Sequence, residues 1–122
     1  MSTLSVSNIT DGVDTVGTSY VVNGSAKAWV DYTSIGTVAI QISQNVSSLT
    51  DTGVGDIDVN LSSALASSRV ALTIQIGDGS NGDQSFRQAN GTASVLAVYQ
   101  YNGSNAAFDS NYCGVVAHGD LA

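Results

Sequence analysis

The sequence predicts an all-β protein, a jelly-roll-like antiparallel β-sandwich of about eight or nine short strands. Composition is the first observation behind this prediction: the chain has no Pro, all ten of its acidic residues are Asp, and Val, Ile, Thr and Tyr are plentiful. Periodicity is the second, because apolar and polar residues alternate repeatedly between turn signals rich in Gly, Asn and Asp. The length of 122 residues suits one domain with a real core.

The clearest alternation lies in residues 23–47, which are predicted to form a β-hairpin. The first strand carries the only Trp and the only Lys, and a turn over residues 33–36 leads to the second strand. Successive side chains of a strand point to opposite faces, so each run buries one side. The residues expected on the buried side are Ala26, Ala28, Val30, Tyr32, Val38, Ile40 and Ile42.

The remaining segments follow in chain order. Residues 1–22 are predicted to be an N-terminal strand or arm, with a strand or covering loop over residues 15–23, and residues 23–122 to be the sandwich domain. Later strands are expected at residues 56–62, 69–77, 92–101 and 111–118, with a short one near 84–88, while residues 44–50 are a polar run that contains Val46 and Leu49. Residues 56–62 are the most regular of these, with Ile57, Val59 and Leu61 facing inward. Residues 63–68 are the only stretch expected to make a helical turn.

Charge excludes several classes of function. The net charge is −7, and the cations are Lys27, Arg69 and Arg87, which are too few for a nucleic-acid backbone or an anionic membrane surface. No apolar run approaches the ~20 residues of a spanning helix. The first residues lack a basic region followed by an apolar one, so we expect no secretory signal.

Catalytic and metal chemistry have little support in the sequence, and we predict no enzyme, no cofactor and no metal. His118 is the single histidine, and Cys113 is a lone cysteine expected to be a small buried residue. Asp56 and Asp58 share one strand face, where solvation explains them better than glycoside cleavage. The run from Asp78 to Asp83 is similar to a calcium loop but lacks the EF-hand spacing, so a flexible turn is preferred and calcium stays open.

Two polar loops, residues 78–91 and 102–110, are the predicted contact surfaces. Tyr99, Tyr101 and Tyr112, with Phe86 and Phe108 in the adjoining loops, suit a core or subunit interface better than a sugar-binding platform. The candidate contact residues for a receptor or partner are Asp78, Asn81, Asp83, Phe86, Arg87, Asn102, Asn105 and Phe108.

Two runs of the sequence carry a resemblance. NGSAKAWVDYTSIGTVAIQIS and NVSSLTDTGVGDIDVNL resemble the β-module found near the tips of tail-fibre and other virion proteins of bacteriophages. The resemblance covers residues 11–65 well and residues 112–118 more weakly. Residues 31–35 and the glutamines Gln41 and Gln44 depart from the family pattern, at a hairpin turn and on faces expected to be exposed.

The resemblance implies a virion structural protein on the particle surface, assembled in the host cytoplasm and released by lysis. We expect a homotrimer that contacts other virion proteins of the tail or capsid. A tail-fibre or knob-tip module would attach to a host surface polysaccharide or protein through the two loops. A capsid-decorating protein is the alternative, since the chain is short and starts at Met1 with no shaft before it. A polysaccharide depolymerase is a third possibility.

Overall fold

A computed structural model describes residues 2–77, 85–88 and 91–122, with only the backbone for residues 85–88. Within these ranges the chain forms strands and one short helix, α1 (Thr18–Gly24). The strands are β1 (Asn8–Thr10), β2 (Thr15–Gly17), β3 (Ala28–Thr33), β4 (Ala39–Gln44), β5 (Val46–Gly53), β6 (Asp56–Leu61), β7 (Ala71–Gly77), β8 (Ser85–Gln88), β9 (Val95–Tyr101) and β10 (Tyr112–His118).

Eight of these strands make two antiparallel sheets, which confirms the predicted all-β sandwich. Sheet 1 has the order β4-β3-β10-β7, and sheet 2 has the order β5-β6-β9-β8. The chain passes from one sheet to the other between β4 and β5, between β6 and β7, between β7 and β8, and between β9 and β10. The strand expected near residues 84–88 is present as β8.

The core lies between the inner faces of the two sheets. The alternation predicted for β6 is confirmed, since Ile57, Val59 and Leu61 are buried and the residues between them are half-buried. Strands β6 and β9 are the inner strands of sheet 2, and β3 and β10 are those of sheet 1. The buried core residues are Ala28, Val30, Tyr32, Ile57, Val59, Leu61, Leu65, Ile74, Leu96, Val98, Cys113, Val115 and Ala117.

One residue of the central hairpin faces the other way from the prediction. Val38 and Ile40 pack against the core as expected, but Ile42 is 58% exposed. The cause is a β-bulge: Tyr32 pairs with Ile40 and Asp31 pairs with Ile42, so Gln41 is an extra residue on β4. An extra residue reverses the facing of all that follow it on that strand.

The N-terminal residues 2–24, which we call the arm, form a small hairpin and the helix, with no buried residue. Strands β1 and β2 pair with each other around a turn at residues 11–14. The Asp11 carboxylate accepts hydrogen bonds from the N–H groups of Val13 and Asp14, each at 2.9 Å. These two bonds lower the pKa of Asp11.

Of the strand or covering loop expected over residues 15–23, residues 15–17 form strand β2, but the helix over Thr18–Gly24 shows that the expectation was wrong for the rest. A contact from outside the segment explains the difference. The Lys27 ammonium and the Ser25 hydroxyl both donate to the carbonyl of Val22, in the last turn. A cation at a helix C-terminus satisfies carbonyls that have no partner within the helix and complements its dipole.

Residues 63–68 do not form the expected helical turn. Leu65 is instead buried and makes a β-bridge with Leu121, and the Ala66 N–H donates to the carbonyl of Asp120 at 2.7 Å. Pairing with a distant segment therefore replaces the local helical hydrogen bonds.

The sandwich has two different ends. The base is the end where the arm joins β3 at residues 25–27 and where residues 63–70 meet residues 119–122. The loop end carries the β3–β4 turn, the β5–β6 turn at residues 54–55 and the connection over residues 102–111.

Gly55 closes the β5–β6 turn against the loop end. Its φ is +67°, and an added Cβ would lie 2.6 Å from the carbonyl oxygen of Gln100 and 2.9 Å from the nitrogen of Phe108. Its N–H donates to the Asp109 carboxylate at 2.8 Å, and its carbonyl accepts from the Gln100 N–H at 2.7 Å. Only glycine allows both the backbone conformation and this close approach.

We expect Gly55→Ala to lower the free energy of unfolding by about 3 kcal/mol, because left-handed strain is added to a clash with backbone atoms. Urea denaturation of the full chain measures this loss. Gly36→Ala is the matched control, since Gly36 has a φ of +71° with nothing within 4 Å of an added Cβ. It should lose only about 1 kcal/mol, and equal losses in the two variants would contradict the close approach at Gly55.

Candidate functional site

The predicted loop over residues 78–91 contains strand β8, and only its first part, residues 78–84, is flanked by residues that lie beside the second predicted loop. The described residues that flank residues 78–84 are Gly77, whose carbonyl accepts from the Ser110 hydroxyl at 2.9 Å, and Ser85, which pairs with Tyr101. Both anchors therefore lie beside the connection over residues 102–111. The candidate residues Asp78, Asn81 and Asp83, and with them the calcium question, lie outside the described residues.

The connection after β9 is held by its own first residue. The Asn102 side-chain oxygen accepts from the N–H groups of Ser104 and Ala106, both at 3.0 Å. Asn105 adopts a left-handed φ of 60°. Asn102 thus shapes the loop, and the exposed tip at residues 103–107 is what the loop presents to solvent.

The other candidate contact residues lie in two different elements, the connection after β9 and the strand β8. Phe108 is half-buried, and its N–H donates to the carbonyl of Gln100 at 3.3 Å. Phe86 and Arg87 belong to β8, where they pair with Gln100 and Tyr99 of β9. They are therefore strand residues of sheet 2 and not members of a loop tip.

A buried polar network connects the two sheets at the loop end. Gln100 of sheet 2 is fully buried, and its side-chain nitrogen donates to the Tyr32 hydroxyl of sheet 1 at 3.2 Å. Its side-chain oxygen accepts from the Cys113 thiol at 3.4 Å. The Ser34 hydroxyl lies 3.4 Å from the same oxygen and accepts from the Ser110 N–H at 2.8 Å.

Burial keeps the Cys113 thiol and the Tyr32 hydroxyl protonated at neutral pH. Burial raises the pKa of the Cys113 thiol above its ordinary value of 9.0, although its hydrogen bonds oppose the shift. Burial also raises the pKa of the Tyr32 hydroxyl, and the neighbouring Cys113 adds to that effect. A thiol of this kind is a structural group, because nucleophilic and metal-binding cysteines need the thiolate.

The three tyrosines, for which a sugar-binding platform was the less favoured interpretation, are divided between the two sheets. Tyr99 and Tyr101 lie on the outer face of β9, with ring centroids 6.5 Å apart and planes tilted by 37°. Tyr112 belongs to β10 of sheet 1 and is 69% exposed. The tyrosines therefore cannot act as one surface.

The other singled-out polar residues lie apart. Asp56 and Asp58 are half-buried on the outer face of β6, opposite Tyr99 and Ala97. His118 ends β10 at the base, beside Arg69 and Asp120 in a cleft of about 420 Å³. Over the described residues, no group of three or more His, Cys, Asp or Glu side chains could hold a metal ion.

Sequence reasoning missed a notch on the outer face of sheet 1. It has a volume of about 320 Å³ and is lined by Asp31, Gln75, Tyr112, Cys113 and Gly114. The signal that could have found it is a glycine inside a strand that otherwise alternates regularly, since such a glycine leaves a gap in a row of side chains.

Comparisons with known proteins add no relative: no family model, no curated protein and no solved structure matches the chain. Within the part of the chain that is described, no helix is long and apolar enough to span a bilayer.

We expect Gln100→Ala to lower the free energy of unfolding by about 3 kcal/mol, because it leaves a cavity and removes the hydrogen-bond partner of Tyr32. Tyr32→Phe should cost about 1 kcal/mol by leaving the Gln100 amide with one bond fewer. Urea denaturation measures both. Gln41→Ala, at an exposed glutamine, is the control and should change stability by less than about 0.5 kcal/mol; a similar loss there would contradict a special role for Gln100.

Alkaline pH should destabilise the fold through Cys113. Below the unfolded-state pKa near 9.0 the thiol is protonated in both states. Above it the unfolded chain loses the proton while the folded chain keeps it, so the free energy of unfolding falls by up to about 1.4 kcal/mol per pH unit. Denaturation from pH 7 to 10 checks this, and Cys113→Ala should flatten the decline between about pH 8.5 and 10. An unchanged pH profile in that variant would contradict the assignment.

Proposed function

We propose that this chain is a bacteriophage virion structural protein, displayed on the particle surface as a tail-fibre or knob-tip module for attachment to the host. The sequence runs from residues 23–43 and 45–61 support this, because they resemble the β-modules of such proteins. In the fold these runs supply the adjacent strands β3 and β4 of sheet 1 and β5 and β6 of sheet 2.

The observation that carries the proposal is the apolar arm at the base. Its exposed apolar side chains include Leu4 at 82%, Val13 at 89% and Val22 at 59%. A lone two-stranded hairpin and a seven-residue helix are each marginal in water. Burying one such side chain on a partner contributes about 1.5–3 kcal/mol. The arm is thus the segment suited to docking on another virion protein.

The loop end lies at the opposite end of the sandwich from the arm. If the arm is bound to the particle, the connection over residues 102–111 faces the host, and Gly77 and Ser85, which flank residues 78–84, lie beside it. Each contact there is weak by itself, but many copies on one particle raise the effective concentration of sites and give firm adhesion. Trimerisation of the module would add to this effect.

A capsid-decorating protein is the second candidate, and the same arm favours it. The exposed apolar residues extend from Leu4 to Val22 without a buried anchor. A segment of this kind can lie along a capsid lattice as readily as along a tail fibre. In that case the acidic outer surface, with a net charge of −7, would cover the capsid.

Arm variants test the attachment. Leu4→Ser combined with Val13→Ser should lower the number of copies per purified particle at least about tenfold, since two apolar contacts are lost. Thermal unfolding of the isolated full chain should stay unchanged, because neither residue is buried. Quantitative mass spectrometry of virions gives the copy number. Val54→Ser is the control: Val54 is 64% exposed but lies at the loop end, and its change should leave incorporation intact.

Copy number and adsorption separate the two candidates. A fibre-tip module should be as numerous as the tail fibres, and free full-length chain should block adsorption of the phage to its host. A decoration protein should match the capsid lattice in number and leave adsorption unaffected. If particles incorporate the arm variant to the same extent as the unsubstituted chain, the result would count against both the fibre-tip and the capsid-decorating candidates.

A further inference from the structure

We infer that the notch around Gly114, on the outer face of sheet 1, binds an uncharged sugar ring. This inference rests on the proposed attachment function and names its ligand class. It also moves the recognition site from the loop end to the face formed by β3, β10 and β7.

Neither the backbone nor the packing explains why residue 114 is glycine. It lies inside β10, an inner strand of sheet 1, and its φ is not in the left-handed range. An added Cβ would meet only the Cβ of Gln75, at an ordinary contact distance of 3.8 Å. Glycine inside a strand costs about 0.5–1 kcal/mol relative to alanine. What commonly requires it there is a bulge or the close approach of a ligand, and β10 pairs with β3 and β7 without a bulge.

Gly114 has no side chain, and one polar side chain lies on each side of it in the sheet. Gly114 pairs with Asp31 of β3 and with Gln75 of β7, so the three residues form one row across the sheet. Asp31 and Gln75 are both exposed. The volume of about 320 Å³ is at the lower end of small-molecule sites, which span roughly 300–1,000 Å³.

One aromatic ring lines the notch, and a second lies in the next row of the sheet. Tyr112, which is 69% exposed, is two residues from Gly114 on β10. Trp29 lies in the next row on the other side, paired with Val116, and its ring nitrogen donates to the Gln44 side chain at 3.2 Å. Residues two apart on a strand are ~7 Å from each other on one face. Such rings offer a flat apolar surface to the C–H face of a sugar.

The charge of the notch selects the sugar. Asp31 is the ionisable carboxylate among its lining residues, and the whole chain carries −7. An acidic sugar would be repelled, whereas a carboxylate accepts strong hydrogen bonds from hydroxyl groups. The Gln75 amide both donates and accepts, which matches a hydroxyl that does the same. A neutral hexose unit of a surface polysaccharide fits these groups.

A second copy of the chain fits this face less well. Ile42 is the large apolar residue next to Asp31 that is strongly exposed, at 58%. Interfaces between identical subunits are more apolar than this, and a two-fold contact through the row would bring two Asp31 carboxylates together. The occupant we propose is therefore the sugar.

Titration of the full chain with simple sugars tests the proposal. The probes are the methyl glycosides of glucose, galactose and mannose, N-acetylglucosamine, and glucuronic acid as the charged comparator. Fluorescence of Trp29, the only tryptophan, and backbone amide shifts of residues 31, 75, 112 and 114 report binding. We expect saturable binding of at least one neutral sugar with a Kd on the order of 1 mM, and at least tenfold weaker binding of glucuronic acid.

Gly114→Val separates a binding role from a structural one. It fills the notch with a good strand former, so binding should fall at least tenfold while the urea midpoint stays unchanged or rises. Tyr112→Ala should weaken binding with no loss of fold. Ala71→Val is the control, because Ala71 is exposed on the same sheet about 14 Å along β7 from Gln75, and it should leave binding intact.

Three results would overturn the inference. The first is the absence of any saturable neutral-sugar binding, and the second is a Gly114→Val variant that binds sugar normally. The third is a chain that binds no sugar but forms an oligomer that Gly114→Val dissociates, as measured by sedimentation. Adsorption assays keep the two proposals apart. If free Gly114→Val chain still blocks phage adsorption, attachment stands and the notch is wrong; if the unsubstituted chain binds sugar but does not block adsorption, the attachment function fails instead.

Discussion

The buried polar network around the Gln100 side chain is the constraint on which the arrangement of the two sheets at the loop end depends. Gln100 belongs to sheet 2, while Tyr32 and Cys113 belong to sheet 1, and all three are buried. An apolar core tolerates some sliding of its layers, but a buried amide tolerates little, because each missing partner costs about 1–3 kcal/mol. The network therefore fixes one sheet over the other at the loop end, and Ser34 and Ser110 extend it into the connections there.

The two ends of the sandwich differ in structure: the base carries the exposed arm, and the loop end is held by hydrogen bonds. The base receives an arm that buries nothing of its own, and the loop end is pinned by Gly55, Asp109 and the buried network. A rigid body with an exposed apolar segment at the base, and with a recognition surface at or next to the loop end, suits a subunit that is held by a particle and presents its far side. That division is the physical basis of the proposed virion role.

Two glycines show how differently the same residue is used. Gly55 is required by the fold, since a side chain there would collide with backbone atoms of Gln100 and Phe108. Gly114 is not, since a side chain there would meet one ordinary contact. Glycine inside a strand lowers stability relative to a residue with a side chain. A glycine that the fold does not need is therefore informative about function, because the close approach of a ligand is a common reason to keep it. Its neighbours Asp31, Gln75 and Tyr112 give the resulting space a chemistry that suits a sugar.

The sequence alone determined the strands β3, β6 and β7 and their inward faces, because a period of two commits each residue of a half-buried strand to one side. Only the tertiary structure decided the features that depend on a distant partner. The bulge that turns Ile42 outward arises from its pairing with β3, and the helix over residues 18–24 ends against Lys27. Asn102 was a candidate contact from its loop composition, yet its side chain is used within that loop. The row through Gly114 joins three strands far apart in the chain, and no local pattern can show which residues such pairing brings together.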